Sequence, residues 1–136
     1  MSSHAAAPEF DYEHFINAFE EVTYWHFAWY SQIMASLLFA RSKQIQGHHE
    51  CKFGQFLDQN LIPPTATAEY AAVRNLHQQM HEAASALMAS RGDAQEVEEE
   101  IFEEFSELQS LFAAACNALL RVAITSHAEI MAASND

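Results

Sequence analysis

A formal net charge of −13 on a chain of 136 residues, half of them apolar, narrows the possible partners. The length suits a single domain with its own core, and the charge argues against nucleic acid and anionic lipid. The longest apolar runs, such as Ile33 to Ala40, are too short to span a bilayer, and the first eight residues do not resemble a signal peptide. We therefore expect a cytoplasmic protein that binds neither membrane nor nucleic acid.

The first predicted element is a long helix. Residues 1–8 are predicted to be a flexible tail, and residues 9–133 a single helical domain. Pro8 suits the first position of a helix, which is predicted to continue to about Gln46 and to end at Gly47. Apolar residues at steps of three and four predict its core-facing side. These are Tyr12, Phe15, Ile16, Phe19, Val22, Phe27, Tyr30, Ile33, Met34, Leu37 and Leu38.

Two more helices are predicted next. His48 to Asn60 indicates a short helix, and the two prolines at positions 63 and 64 end it. Thr67 is the predicted cap of the third helix, which stops near Arg91. The predicted buried side of the third helix is Tyr70, Val73, His77, Met80, Ala84 and Leu87.

The last helix is predicted from about Ala94 to Ala132. Asp93 and Glu96 form a capping-box pattern at its start, and the acidic cluster from Glu98 to Glu104 is predicted to face solvent. Its predicted buried side is Val97, Ile101, Phe105, Leu108, Phe112, Cys116, Leu119 and Ala123. The expected fold is all-α: an antiparallel four-helix bundle, with an additional short helix that carries Cys51.

His77 and His81 are the first candidate metal ligands. Residues four apart lie on one helical face, so the two imidazoles form half of a metal site. On its own such a pair is weak evidence for a metal site, because the spacing arises often by chance in a chain with eight histidines.

His26 and Cys51 are the nearest candidate partners for this pair. His26 lies within the apolar face of the first helix, where a neutral imidazole needs a hydrogen bond or a metal. Three histidines and one cysteine make a tetrahedral set that suits Zn²⁺ better than Mg²⁺, Ca²⁺ or Mn²⁺. Four protein ligands leave no open position for water, which favours a structural or sensing role over hydrolysis.

Other residues stay open as alternatives. His48 and His49 flank Cys51 and could compete with it as ligands, and Glu50 or Asp58 could accept a hydrogen bond from a ligand imidazole. Cys116, on the apolar side of the last helix, is predicted to be a buried small side chain. Two cysteines 65 positions apart do not form a disulfide framework.

Three ordered blocks resemble a known family. They are His26-Phe27-Ala28-Trp29, Cys51-Lys52-Phe53-Gly54 and His77-Gln78-Gln79-Met80-His81. In that order and spacing they are similar to the motifs of the chemoreceptor zinc-binding (CZB) domain, over about residues 10–125. One position departs from the family pattern, since Phe56 stands where the family usually has tryptophan. An aromatic side chain there is expected to keep the packing, without the indole N–H.

The resemblance carries its own expectations. It implies His26, Cys51, His77 and His81 as the ligands of one Zn²⁺ ion. It also implies a cytoplasmic bacterial regulatory module, usually a dimer, associated with chemoreceptors or diguanylate cyclases. In some members the zinc-bound cysteine senses hypochlorous acid. We expect a stand-alone homodimeric member without catalytic activity, which signals through a partner protein.

Two competing functions remain at this point. A di-metal bundle, as in an oxygen carrier or an oxidase, needs Glu-x-x-His pairs or further inward-facing carboxylates. Glu13 and His14 have the wrong spacing for such a pair, which ranks this function low. A metal-free structural bundle is the other alternative, and metal content after gentle purification separates it from a zinc protein.

Overall fold

The protein is described by a computed structural model that covers residues 9–39, 41, 44–91 and 97–134. Four helices make up this part of the chain, and no strand occurs in it: α1 (Tyr12–Leu38), α2 (Lys52–Asp58), α3 (Thr67–Arg91) and α4 (Glu99–Ser134). The predicted all-α bundle is confirmed. The short helix that follows Cys51 is itself one of these four helices. The predicted tail, residues 1–8, lies outside the described residues.

Contacts between the long helices give their directions. The ring of Tyr12, at the start of α1, stacks on His127 near the end of α4, with ring centroids 5.7 Å apart. Tyr30, later in α1, stacks on Phe105, early in α4, at 5.4 Å. The two helices are therefore antiparallel.

The first and third helices run in the same direction. The ring of His26 lies 5.0 Å from that of His77, and Arg91, the last residue of α3, donates a hydrogen bond of 3.1 Å to the carbonyl of Ser36. Residue numbers thus increase in the same direction along α1 and α3, and the two helices are parallel. The chain between them must return along the bundle, so that α2 is the short second member of an up-down-up-down bundle.

The returning segment is held against α3 at the C-terminal end of α2. The Tyr70 hydroxyl donates to the carbonyl of Leu57 at 2.7 Å, and the Arg74 guanidinium donates to the same carbonyl at 2.8 Å. The helix ends at Asp58, and Asn60 follows with a φ of 55°, a conformation that asparagine tolerates better than most residues. These bonds fix the position of α2 relative to α3.

Aromatic side chains fill the core at this end of the bundle. Phe15 and Phe19 of α1 stack at 5.6 Å, and Phe56 of α2 packs on them at 5.7 and 6.1 Å. All three are at most 4% exposed. We call them the aromatic layer.

The predicted length and core-facing side of α1 need correction. The helix begins after Asp11, whose carboxylate accepts the N–H of His14 at 3.0 Å, and it ends at Leu38 rather than near Gln46. Phe27 and Leu38 were predicted to be buried, but they are 63% and 78% exposed. Phe27 follows the buried His26, and one residue turns the helix by about 100°, which carries the side chain out of the core.

The other helices differ from prediction mainly at their ends. The short helix was predicted from His48 to Asn60 but is confined to Lys52–Asp58, because residues 48–50 form a turn. Thr67 is the first helical residue of α3, rather than its cap. Helix α4 begins at Glu99, and the predicted capping pair, Asp93 and Glu96, lies outside the described residues. All six residues predicted to be buried on α3 are buried.

Helix α4 combines a core-facing side with considerable apolar exposure. Phe105, Phe112, Cys116, Leu119 and Ala123 are buried, as predicted, whereas Val97, Ile101 and Leu108 are half-buried. The helix is long and apolar enough, by length and composition alone, to cross a membrane. One such helix is a weak indication, since a core helix of a soluble protein passes the same test. The glutamates from Glu98 to Glu104 are exposed, as predicted.

Candidate metal centre

Three buried imidazoles meet between α1 and α3. His26 projects from α1, and His77 and His81 lie one turn apart on the same face of α3. They are 4%, 1% and 3% exposed, and a ring nitrogen of each lies within 4.8 Å of the others. We call these residues the imidazole layer. The cluster contains no carboxylate, unlike the di-metal sites of helical bundles.

Cys51 adjoins this layer through His77. Its Sγ lies 3.2 Å from Nε2 of His77, although it lies outside the 4.8 Å group formed by the three imidazoles. Cys51 is also the N-cap of α2, since its Sγ accepts the backbone N–H of Gly54 at 3.3 Å. The structure thus brings the three predicted imidazoles together and places Cys51, the fourth predicted residue, against one of them, His77.

Two nitrogens of the imidazole layer have no hydrogen-bond partner among the residues that the structure describes. Nδ1–H of His81 donates to the carbonyl of Gln46 at 2.8 Å, which leaves Nε2 of that ring as the free acceptor. Nε2 of His81 and Nε2 of His26 are both buried, and neither has a partner in the described ranges. A buried polar atom without a partner costs about 1–3 kcal/mol. A metal ion would satisfy both atoms, and a backbone acceptor on the far nitrogen is a common feature of metal-binding histidines.

Burial keeps the imidazoles neutral. Burial, with a smaller contribution from the nearby His81, lowers the pKa of His26 to about 3. Burial, with smaller contributions from His26 and His81, lowers the pKa of His77 to about 2. Burial lowers the pKa of His81 too, against the opposing hydrogen bond to Gln46. Neutral imidazole is the form that binds a metal.

The thiol of Cys51 is disfavoured as an anion while no cation is near. Burial raises its pKa, and the N–H of Gly54 opposes this shift. A bound divalent cation deprotonates a coordinating thiol, so metal binding and proton release from Cys51 are coupled.

The distances suit zinc. Tetrahedral zinc, with Zn–S near 2.3 Å and Zn–N near 2.0–2.1 Å, places a sulfur and a nitrogen ligand about 3.5 Å apart. The 3.2 Å between Sγ of Cys51 and Nε2 of His77 is close to that value. The donor atoms of the three imidazoles lie within 4.8 Å of one another, compared with about 3.3 Å between two nitrogen ligands of tetrahedral zinc. The cluster of histidines and a cysteine fits a zinc site.

Residues 26–88 match the family model of the chemoreceptor zinc-binding domain. This match supports a chemoreceptor zinc-binding (CZB) domain in that part of the chain. No curated protein and no solved structure matches it. Members of the family are cytoplasmic zinc-binding regulatory domains that occur in chemoreceptors and other signalling proteins.

The matched part of this CZB domain contains all four candidate ligands. Helix α4 lies outside it, yet α4 contributes a wall of the site. The ring of Phe112 lies 4.6 Å from that of His26 and 6.0 Å from that of His77. Sequence reasoning placed Phe112 in the core but gave no reason to place it against the histidines.

Trp29 closes another side of the imidazole layer. Its indole stacks on His81 with centroids 4.4 Å apart, and it lies 4.8 Å from the ring of His26. Its Nε1 is buried and has no hydrogen-bond partner in the part of the chain that the structure describes. The tryptophan is therefore placed to report on the protonation and metal binding of both imidazoles.

Gly54 and Phe56 complete the cysteine block of the CZB domain. A Cβ at Gly54 would lie 1.6 Å from the carbonyl oxygen of His48, so only glycine allows this close approach. Phe56, which replaces the usual tryptophan of the family, is 4% exposed within the aromatic layer. The aromatic packing expected at that position is present.

The alternative residues lie on the outside of the site. His49 pairs with Asp58, with 2.8 Å between Nδ1 and Oδ2, so Asp58 supports His49 and no candidate ligand. The ring of His48 lies 6.5 Å from that of His77. For His81 the acceptor is the carbonyl of Gln46, a backbone group that no side-chain pattern reveals.

Proposed function

We propose that this CZB domain is a zinc-responsive regulatory module, in which His26, Cys51, His77 and His81 bind one Zn²⁺ ion. One observation carries the proposal. Three buried, neutral imidazoles converge beside a thiol, and two of their nitrogens have no partner within the described part of the chain. A bundle that served only as a structural element would gain stability from apolar side chains at these positions.

Zinc would link three segments of the chain. One proposed ligand lies on α1, one at the start of α2 and two on α3. Binding free energy would therefore stabilise the docking of α2 between its two neighbours. α2 has only seven residues and is too short to be stable alone, so its position is the part of the fold most sensitive to occupancy.

A response to oxidants would use the same cysteine. A two-electron oxidant such as hypochlorous acid would convert the thiolate of Cys51 to a sulfenic acid and would itself be reduced to chloride. The sulfenic acid is a poorer ligand and a poorer acceptor for the N–H of Gly54, so both zinc and the cap of α2 would be weakened. Zinc retention by the wild type after mild oxidation would remove this part of the proposal and leave zinc sensing intact.

The signal would leave through another protein. Exposed apolar side chains on α1 and α4 support self-association as a homodimer and contact with a chemoreceptor or a diguanylate cyclase. They are Tyr24, Trp25, Phe27, Leu38, Leu111, Ile124, Ile130 and Met131.

Native mass spectrometry of the untagged protein tests the proposal. We expect one zinc per chain in the wild type and none in a Cys51→Ala, His77→Ala double variant. A matched double variant, Cys116→Ala with His14→Ala, also removes one thiol and one imidazole but should keep the metal. A wild type that folds without metal and does not take up added zinc would refute the zinc site. The same spectra give the oligomeric state.

A further inference from the structure

A second pair of metal-binding side chains lies outside the imidazole layer, on the solvent side of the turn before α2. We propose that His49 and Asp58, with His48 beside them, form a surface site that captures a divalent metal ion and passes it to the buried ligands. The inference rests on the proposed zinc site, and it adds a route by which the metal is loaded and released.

The geometry of the pair matches that of a metal-binding histidine. Nδ1–H of His49 donates to both carboxylate oxygens of Asp58, at distances of 2.8 and 3.1 Å. This leaves Nε2 as the free donor atom, in the carboxylate–histidine arrangement found in many zinc sites. The two side chains are 65% and 42% exposed, so an ion reaches them directly from solvent.

A continuous path joins this pair to the buried site. The ring of His48 lies 4.1 Å from that of His49 and 6.5 Å from that of His77. A cavity of about 90 Å³ is lined by these three histidines and by Asp58. Its wall also includes Arg74, whose guanidinium is fixed by bonds to Leu57 and Asn60. The carboxylate of Asp58 offsets that positive charge at the mouth of the cavity.

A second cavity beside the site is less suited to a cation. It has a volume of about 170 Å³ and is lined by His26 and Cys51 together with Trp25, Trp29 and Lys52. The ammonium of Lys52 lies over the ring of Trp25 at 4.1 Å. The residues that line this cavity include no carboxylate to offset the charge of Lys52, whereas the His49 cavity sets the carboxylate of Asp58 against the charge of Arg74 and adds an imidazole.

A site on the path has a distinctive effect. It changes the rates of loading and release by the same factor and leaves the equilibrium affinity of the buried site unchanged. A residue that only supports the fold would lower the affinity, and a loss of general negative charge would leave the release rate unchanged.

Stopped-flow kinetics with Zn²⁺ tests the proposal on His49→Gln and Asp58→Asn variants. We expect zinc loading and zinc release to a chelator both to slow by roughly tenfold, the lower end of what local electrostatic focusing gives. The dissociation constant should stay within about twofold of the wild-type value, since a tenfold change would need about 1.4 kcal/mol. His14→Gln is the matched imidazole control, and Glu103→Gln is the matched charge control. Both should keep wild-type rates.

The results of this experiment distinguish failure of the loading site from failure of the buried zinc site. Unchanged rates in both variants, or a fall in affinity equal to the fall in loading rate, would overturn the loading site and leave the buried zinc site standing. A wild type that binds no zinc at equilibrium would overturn both proposals before any rate is measured. A further check uses protein whose buried site is already filled. Additional Zn²⁺ should shift the imidazole nitrogen resonances of His49 in the wild type and not in Asp58→Asn.

Discussion

Two layers of the same bundle interior are filled by rings of similar size, but the rings of one layer are apolar and those of the other carry polar nitrogens. In the aromatic layer, Phe15, Phe19 and Phe56 satisfy one another by packing alone. In the imidazole layer, equally buried rings leave Nε2 of His26 and Nε2 of His81 without partners among the described residues. The comparison shows which part of the core is stabilised by its own packing and which part has polar atoms that a bound metal ion would satisfy. The aromatic layer should hold the bundle together in any condition, whereas the imidazole layer should respond to protons and metal.

Acid provides the largest expected contrast between the layers. Histidines in the unfolded chain take up protons below their ordinary pKa of 6.5, whereas burial holds the pKa of folded His26 at about 3 and that of His77 at about 2. The unfolded state therefore binds more protons between these values, and the free energy of unfolding falls as the pH drops from 6.5 towards 3. We expect the zinc-free protein to unfold within this range, as measured by far-UV circular dichroism in a chelator.

A variant isolates the contribution of the imidazole layer to this acid response. His77→Leu removes one of the buried neutral histidines and should make the fall in stability with pH less steep. A wild-type stability that is flat between pH 6.5 and 4 would contradict the assignment, where 6.5 is the ordinary histidine value.

Phe15→Ala tests the aromatic layer. The side chain is fully buried, and we expect its truncation to lower the free energy of unfolding by about 3–5 kcal/mol. The loss should be the same with and without zinc, because Phe15 lies outside the imidazole layer. Phe27→Ala is the matched control on the same helix, and its 63% exposure predicts a change within about 0.5 kcal/mol. Urea titrations of both variants measure the difference.

His26→Phe replaces one imidazole of the imidazole layer with an apolar ring like those of the aromatic layer. At free zinc a hundredfold above the dissociation constant, the wild type should gain about 2.7 kcal/mol of stability, and the variant should gain none. Without zinc the variant should be at least as stable as the wild type, because it removes an unpartnered buried nitrogen. Thermal melts with buffered zinc give both values, and His127→Phe serves as the control. A zinc-dependent gain that survives in His26→Phe would exclude His26 as a ligand.

The two cysteines give the smallest expected difference in stability and a clear difference in reactivity. Cys116 is buried in α4, where burial raises its pKa to about 12. We expect Cys116→Ala to cost about 1 kcal/mol and to leave zinc binding unchanged. In the native zinc-free protein an alkylating reagent should modify Cys51 and spare Cys116, and added zinc should protect Cys51. Equal modification of both thiols would contradict this distinction.

Local patterns in the sequence predict much of this molecule. Steps of three and four predict six buried residues on α3, and all six are buried, although His81, Ala83 and Arg91 are buried as well. The order of the His26, Cys51 and His77 blocks identifies residues that the fold does bring together. These succeed because a helix converts spacing directly into a shared face. Whether the four residues bind zinc stays a prediction.

The remaining features depend on contacts between distant parts of the chain. Periodicity alone did not place Phe27 and Leu38 on the exposed side of α1, because packing against α2, α3 and α4 decides which edge of an apolar face is covered. The carbonyl of Gln46 and the ring of Phe112 belong to the site only because the chain returns past α3 and α4 packs across it. No local pattern carries that information.

Gly54 has a consequence for how such a site can be lost over evolutionary time. The carbonyl of His48 occupies the space that any side chain at position 54 would need. A single nucleotide change in this codon, to alanine for example, would push the cysteine turn away from α3 while every donor residue remained in the sequence. The presence of all four candidate ligands in a related sequence is therefore not enough to predict that the related protein binds the metal. The residue at the position of Gly54 should be checked as well.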